Sequence, residues 1–340
     1  MKAAIYNPYL DTLGGGERYT MAIATALVKK NYIVDVEWKD TSIKNKLEDR
    51  FGIDLTNVNF INDVNRGDGY DVCFWVSDGS IPTLKSRKNF LHFQVPFTNV
   101  SGNSLLNRFK LMRINKIICN SNFTKKIIDR EYGVDSIVIY PPVSIDKFKS
   151  KKKENIILNV ARFSELLQSK RQDILIKTFK TFYKTDPNYK LVLAGGVEVG
   201  AGKYFEDLKA QAKGYPIEIL ASPSLKTLRE LYGKAKIFWS ASGYGISENK
   251  EPKRVEHFGI TVVEAMAAGC IPIVVMAGGH KEIIDGNVNG FLWDTTSDLY
   301  RYTKKVVSSE KLRKEISINA TVKSKKFSYD EFEKNFTNLL

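Results

Sequence analysis

The chain has 340 residues, 43% of them apolar and 26% charged, with 52 Lys and Arg against 38 Asp and Glu. This length favours two domains of ordinary size, each able to bury a core, and no apolar stretch reaches the ~18 to 20 residues that span a bilayer. The three cysteines, Cys73, Cys119 and Cys270, are odd in number and lie in apolar strand-like segments, which argues against a disulfide scaffold or a zinc site and for reduced buried thiols.

In chain order, Ala3–Tyr6 reads as the first buried strand. No signal peptide is expected, because the apolar run from Met1 to Tyr6 is too short and leads straight into a loop. That loop, Asp11-Thr12-Leu13-Gly14-Gly15-Gly16-Glu17-Arg18-Tyr19, joins the strand to a periodic helix over Gly16–Lys29. Gly14, Gly15 and Gly16 let the backbone approach a ligand closely and point N–H groups at it. A dinucleotide fingerprint would need a third glycine where Tyr19 stands, so a dehydrogenase is disfavoured.

Further strands are expected at Ile33–Glu37, Val72–Val76, Phe90–Phe93, Lys116–Cys119 and Ile137–Tyr140, with a clear helix over Asn122–Tyr132. Their alternation implies a mostly parallel sheet covered by helices. His92 falls at the carboxyl end of one strand, just before a loop, where ligands are met in such sheets. Residues 81–130 hold ten Lys or Arg and a single acidic residue, Asp129. Within them, Leu105–Ile114 is amphipathic and basic, so residues 84–116 suit an anionic membrane surface; the competing expectation is an ordinary helix with its apolar side on the core. The formal charge of +14 would suit nucleic acid too, but no recognition motif accompanies it, so nucleic acid is not an expected partner.

Pro141-Pro142-Val143 then breaks the pattern, and the polar run Lys149–Glu154 follows, as expected of a linker. A second alternation begins at Ile156–Val160 and continues through Lys190–Ala194, Ile217–Leu220, Ile237–Ser240, Ile271–Val275 and Phe291–Trp293. The expected domains are 1–143 and 144–325, each Rossmann-like, with a ligand cleft between them.

The chemistry concentrates in the second half. Glu256 and Glu264 are separated by seven residues across the start of a helix, Glu256-His257-Phe258-Gly259-Ile260-Thr261-Val262-Val263-Glu264. A helix N-terminus presents unpaired N–H groups and a positive dipole end, so the amides around Gly259, Ile260 and Thr261 can hold a diphosphate. Glu264, about a turn inside the helix, can accept hydrogen bonds from a sugar diol, and Glu256 in the preceding loop can face a second polar group. Arg162 and Lys170 share one strand-to-helix loop and would neutralise a diphosphate, with Arg171 competing for the place of Lys170. Ala277-Gly278-Gly279-His280-Lys281-Glu282 is another glycine-rich helix start.

The stretch Glu-His-Phe-Gly-Ile, then Val-Val-Glu-Ala-Met-Ala-Ala-Gly, resembles the E-x7-E motif of retaining glycosyltransferases with the GT-B fold, in particular glycosyltransferase family 4. Its wording is most similar to the branch of mannosyltransferases that extend lipid-linked oligosaccharides. The resemblance implies an α/β fold of two Rossmann-like domains, and a C-terminal helix at 326–340 that packs back on the first domain. It implies that the Gly14–Gly16 loop lies near the acceptor and donor phosphates, that His92 matches a ligand-facing histidine, and that Gly279 and Glu282 close around the donor beside Phe258. It implies a front-face displacement in which Glu256 positions the sugar. The segment departs from the family pattern in a longer Arg162-to-Lys170 gap and a stretched His92-to-Pro96 spacing.

No Asp-x-Asp occurs in the chain. Glycosyltransferases of the other common fold use that pair to hold a divalent ion, so stabilisation of the leaving group by side chains and a helix dipole, without metal or other cofactor, is expected. The function expected is transfer of a hexose, mannose from GDP-mannose by wording, from a nucleotide sugar donor to a lipid-linked or surface glycan acceptor, at a cytoplasmic location on the inner membrane face. Two alternatives are a sugar phosphorylase or sucrose-type synthase of the same fold, and a non-catalytic nucleotide-sugar or polyanion-binding protein.

Overall fold

The computed structural model describes residues 1–165 and 168–340. Leu166 and Leu167, inside the lengthened loop after Arg162, lie outside the described residues. The chain divides into two compact units, one formed by Met1–Pro142 with Tyr329–Leu340 and the other by Val143–Ser328.

The first unit is built on seven parallel strands: β1 Lys2–Tyr6, β2 Ile33–Glu37, β3 Val58–Ile61, β4 Val72–Val76, β5 Lys88–Phe93, β6 Lys116–Cys119 and β7 Ile137–Val138. Their order across the sheet is β3-β2-β1-β4-β5-β6-β7. The helix Gly15–Lys29 follows β1 and buries Tyr19, Ile23, Ala26 and Leu27 against the sheet. Its start is closed by Glu17, whose carboxylate accepts the Gly14 N–H at 2.7 Å and the Thr12 hydroxyl at 2.7 Å, so one orphan donor of the first turn is satisfied. The terminal helix Tyr329–Thr337 completes this core with Phe332, edge-on to Tyr19 at 4.9 Å, and with Phe336 against Phe74 and Phe90. Aromatic edges against faces are a favourable packing geometry.

One strand of this sheet, β3, is absent from the expected set. With the sequence Val-Asn-Phe-Ile and only Val58 fully buried, it is a short edge strand with little apolar signal. The basic amphipathic segment also differs from an ordinary crossover: it forms the helix Leu105–Leu111 and buries none of its residues.

The second unit holds six parallel strands: β8 Glu154–Val160, β9 Lys190–Gly195, β10 Ile217–Ala221, β11 Ala235–Ser240, β12 Ile271–Val275 and β13 Phe291–Trp293. Their order is β10-β9-β8-β11-β12-β13. Beta-branched and aromatic residues fill the central strands, and every residue of β12 is buried, as both faces of such a sheet are covered. The helix Ile260–Ala267 sits directly before β12 and buries Val262, Val263, Glu264, Ala265 and Met266. No helix among the described residues is long and apolar enough to cross a membrane.

Candidate active site

The loops that leave the carboxyl ends of β8, β11 and β12 meet around Glu256. Lys170, which lies after β8 and is 8% exposed, directs its ammonium at the Glu256 carboxylate at 2.9 Å. Gln168 steadies the pair, accepting from Lys170 at 3.4 Å and donating to the Val255 carbonyl at 3.2 Å. The Glu256 side chain is 21% exposed, so it retains access to solvent while its charge is compensated. Burial would raise its pKa, but Lys170, then His280 and His257, outweigh that and hold the carboxyl down at about 2. Glu256 is therefore an anion at neutral pH and no donor of protons.

The backbone of Glu256 is pinned from the next loop. Gly279 donates its N–H to the Glu256 carbonyl at 2.8 Å. A Cβ at Gly278 would stand 2.0 Å from that carbonyl oxygen, and one at Gly279 would stand 2.4 Å from the Phe258 Cα. Only glycine permits so close an approach. Glu248 clamps the same turn, accepting the Gly278 N–H at 2.9 Å and pairing with Lys281. The one-turn helix His280–Ile283 then brings in Glu282, whose N–H donates to the Gly279 carbonyl at 3.1 Å.

His280 is the residue that sequence reasoning passed over. It is 1% exposed, bonded through Nδ1 to the Val275 carbonyl at 3.0 Å, and its Cδ2 lies 3.2 Å from where a Gly259 Cβ would be. Burial lowers its pKa, with Glu256 pulling the other way. Its signal was present, since it is one of three histidines and opens a glycine-rich helix start, but nothing in the sequence linked it to Glu256.

Glu264 is 7% exposed and accepts the Tyr232 hydroxyl at 2.9 Å. Tyr232 itself is fully buried in the helix Leu225–Lys234. At the start of the helix Ile260–Ala267, Gly259 is the cap, and the first-turn amides of Ile260 and Thr261 have no acceptor within the helix. Phe258 is buried beside them, edge-on to Phe327 at 5.3 Å.

Arg162 takes a separate carboxylate, pairing with Glu198 at 3.2 Å, and is 58% exposed. Its own carbonyl accepts from Gln172 at 3.0 Å, which fixes the backbone and leaves the guanidinium at the surface. Between the two competing neighbours, Lys170 is the one that meets Glu256. Arg171 turns away to a bidentate pair with Asp173 and to the Tyr244 carbonyl.

In the first unit the expected glycine turn and His92 part company. His92 is fully buried, stacked on Tyr19 at 4.1 Å, with Nδ1 bonded to the Ile118 carbonyl at 3.0 Å and Nε2 without a partner. Burial drives its pKa down to about 3, so it is a neutral core imidazole rather than a group facing an open loop. Gln94, two residues on, is what leans over the glycine turn: its amide donates to the Gly16 carbonyl at 3.0 Å, and a Cβ at Gly16 would stand 2.0 Å from its oxygen. Gly14 caps the helix and Gly15 opens it. Among the described residues no three His, Cys, Asp or Glu side chains gather as a metal site.

Two Rossmann-like units, each a parallel sheet with strand order reversing beside its first strand, define the GT-B class of α/β proteins. The chain belongs to the glycosyl transferases of group 1, whose family model matches residues 142–323. The GDP-Man:Man(3)GlcNAc(2)-PP-Dol alpha-1,2-mannosyltransferase of Dictyostelium discoideum is 29% identical over 232 residues, covering 63% of this chain and 44% of that protein. A probable sucrose-phosphate synthase of Thermosipho melanesiensis is 26% identical over 208 residues, 61% of this chain and 45% of that one. The chain thus spans about half the length of the curated relatives it matches. The fold is shared with HepE of Anabaena, solved in complex with UDP, at a TM-score of 0.78 and 19% identity over 99% of both chains.

Proposed function

We propose that the protein transfers a hexose, with retention and without a metal, from a nucleotide diphosphate sugar to a hydroxyl of a lipid-linked or surface glycan. The observation that carries this reading is the Lys170–Glu256 ion pair at the entrance to the helix Ile260–Ala267. It sets an ionised carboxylate, with its cation, four residues ahead of a helix whose first amides have no acceptor within the helix, which suits a sugar on one side and a diphosphate on the other.

In this reading Arg162, Lys170 and the amides of Gly259, Ile260 and Thr261 hold the diphosphate, Glu264 holds the ribose diol, and Phe258, Gly279 and Glu282 shape the donor site. The acceptor oxygen forms its bond to the anomeric carbon as the bond to the diphosphate breaks. The acceptor proton passes to the departing phosphate oxygen. Glu256, fixed as an anion, orients the sugar hydroxyls and stabilises positive charge on the ring. Gly14, Gly15 and Gly16 serve the acceptor side. His92 is given no contact with substrate, because its ring is closed into the core.

Mannose from GDP-mannose is the donor we favour, supported by the mannosyltransferase relatives. The place of action is the cytoplasmic face of a membrane, met through residues 84–116. Incubation with GDP-, UDP- and dTDP-sugars, read by thermal shift and by product configuration, tests this. A GDP-mannose shift and an α-linked product are expected; a shift with none of the donors overturns the reading. The sucrose-phosphate synthase relative favours a second reading, a synthase acting on a soluble sugar. Turnover with a free sugar phosphate and none with a glycan acceptor would select it.

A further inference from the structure

The helix Leu105–Leu111, between β5 and β6, carries an apolar face that the fold leaves uncovered. Leu105 is 76% exposed, Leu106 66%, Phe109 71% and Met112 81%. Leu105, Phe109 and Met112 stand at i, i+4 and i+7 with Leu106 beside them, so at 3.6 residues per turn they form one stripe. Leu111 and Ile114 fall on the opposite side and pack against the cluster of Leu91, Phe93 and Ile117. The core therefore already has the side of this segment that it uses, and the stripe is a second apolar face. Single exposed apolar residues are ordinary, whereas four large ones on one helix face mark an interaction surface.

The charges around the stripe say what covers it. By helical angle, Arg108 and Lys110 fall on either flank of the stripe, and Arg113 follows just after the helix, one residue beyond Met112. Arg108 donates to the Asn103 side chain at 2.8 Å and Arg113 to the Leu84 carbonyl at 2.8 Å, neutral acceptors that leave both charges uncompensated by those bonds. A second copy docking face to face would bring these cations against their own symmetry mates. An anionic lipid surface satisfies both features at once, taking the apolar stripe below its headgroups and the cations at its phosphates.

We propose that Leu105, Leu106, Phe109 and Met112 insert into the interfacial layer of an anionic bilayer, with Arg108, Lys110 and Arg113 on the headgroup phosphates. The inference deepens the membrane-facing part of the proposed function and rests on it for its purpose, since a lipid-linked acceptor would be met there.

Co-sedimentation of the full chain with phosphatidylcholine vesicles, with and without phosphatidylserine, tests it. The wild type should pellet with the anionic vesicles and far less with the neutral ones. The double variant Leu105→Ser/Phe109→Ser should lower the partition coefficient by about tenfold or more, because two large apolar groups no longer enter the layer. The variant Arg108→Gln/Lys110→Gln should lower it by roughly fivefold per charge and flatten its salt dependence. A wild type that stays in solution with anionic vesicles overturns the proposal. So does an apolar variant that binds as well as the wild type, or a concentration-dependent dimer that the apolar substitutions abolish without any vesicle binding. Transfer to a water-soluble acceptor, measured in parallel, should be the same in both variants and the wild type. A wild type that transfers sugar to the soluble acceptor yet binds no anionic vesicles sinks the docking alone; a wild type that binds them but transfers from no nucleotide sugar sinks the functional reading instead.

Discussion

Tyr232 reaches Glu264 with its hydroxyl at 2.9 Å, and both side chains are buried. A buried hydrogen bond from a hydroxyl to a carboxylate holds the acceptor side chain in one orientation. If Glu264 held in that orientation binds a ribose diol, Tyr232→Phe should weaken a ribonucleoside diphosphate by about tenfold while changing its 2′-deoxy analogue little, as read by calorimetry. Equal weakening of both would give Tyr232 a packing role only. Acid should act through His92 and Glu256 in the same direction. The folded pKa of His92 lies near 3, below the ordinary 6.5, because burial disfavours the cation. Below pH 6.5 the unfolded chain takes up a proton that the folded one refuses, so stability falls by up to about 1.4 kcal/mol per pH unit. Glu256 adds stability above its ordinary 4.5 that is lost as pH falls toward about 2. Melting curves between pH 6.5 and 4.5 report both buried histidines, since burial lowers His280 as well: His92→Phe should make the slope shallower without abolishing it, and an unchanged slope would contradict the assignment. Sequence position put His92 at a strand end but could not tell which way its ring turns, whereas Glu256 and Lys170 are 86 residues apart and only the fold joins them.

At the level of elements, the helix Ile260–Ala267 and strand β12 were legible because each local signal agrees, from the glycine at the start to the apolar run of β12. The strand β3 was not, since half of its residues are half-exposed and an asparagine interrupts its apolar character. The helix Leu105–Leu111 was legible as amphipathic, yet its pattern carried two apolar sides, and periodicity alone does not say which one meets the core. The turn before the helix His280–Ile283 shows how tightly the elements depend on one another. Gly279→Ala would press a methyl to within 2.4 Å of the Phe258 Cα and 2.5 Å of the His257 carbonyl oxygen. Overpacking of this kind costs about 1 to 3 kcal/mol, so the melting temperature should fall by several degrees and donor affinity should drop with it. A variant with wild-type melting and wild-type donor binding would show that the turn does not hold the Glu256 segment.

For the whole molecule, alternation of short apolar runs with helical patterns was enough to foretell two parallel-sheet units, because a parallel sheet buries both faces and writes that burial into its strands. The paired prolines near residue 142 mark where the units divide, and the return of Tyr329–Leu340 to the first unit could be stated only by likeness to known proteins, since Phe332 and Phe336 look like any amphipathic helix until Tyr19 and Phe74 are placed opposite them. Of the cations over residues 81–130, Arg108 and Lys110 stand on the helix Leu105–Leu111 and Arg113 just after it, beside an apolar stripe that is exposed. The central claim is that the second unit holds a nucleotide sugar by Glu264 and the helix amides and turns it over beside Glu256. Glu256→Ala tests it most directly, with donor-nucleotide binding followed by calorimetry and sugar transfer followed by product formation on the same folded preparation. The account predicts nucleotide binding within a few fold of wild type and transfer reduced by about three orders of magnitude or more; transfer at the wild-type rate in the folded variant would contradict it.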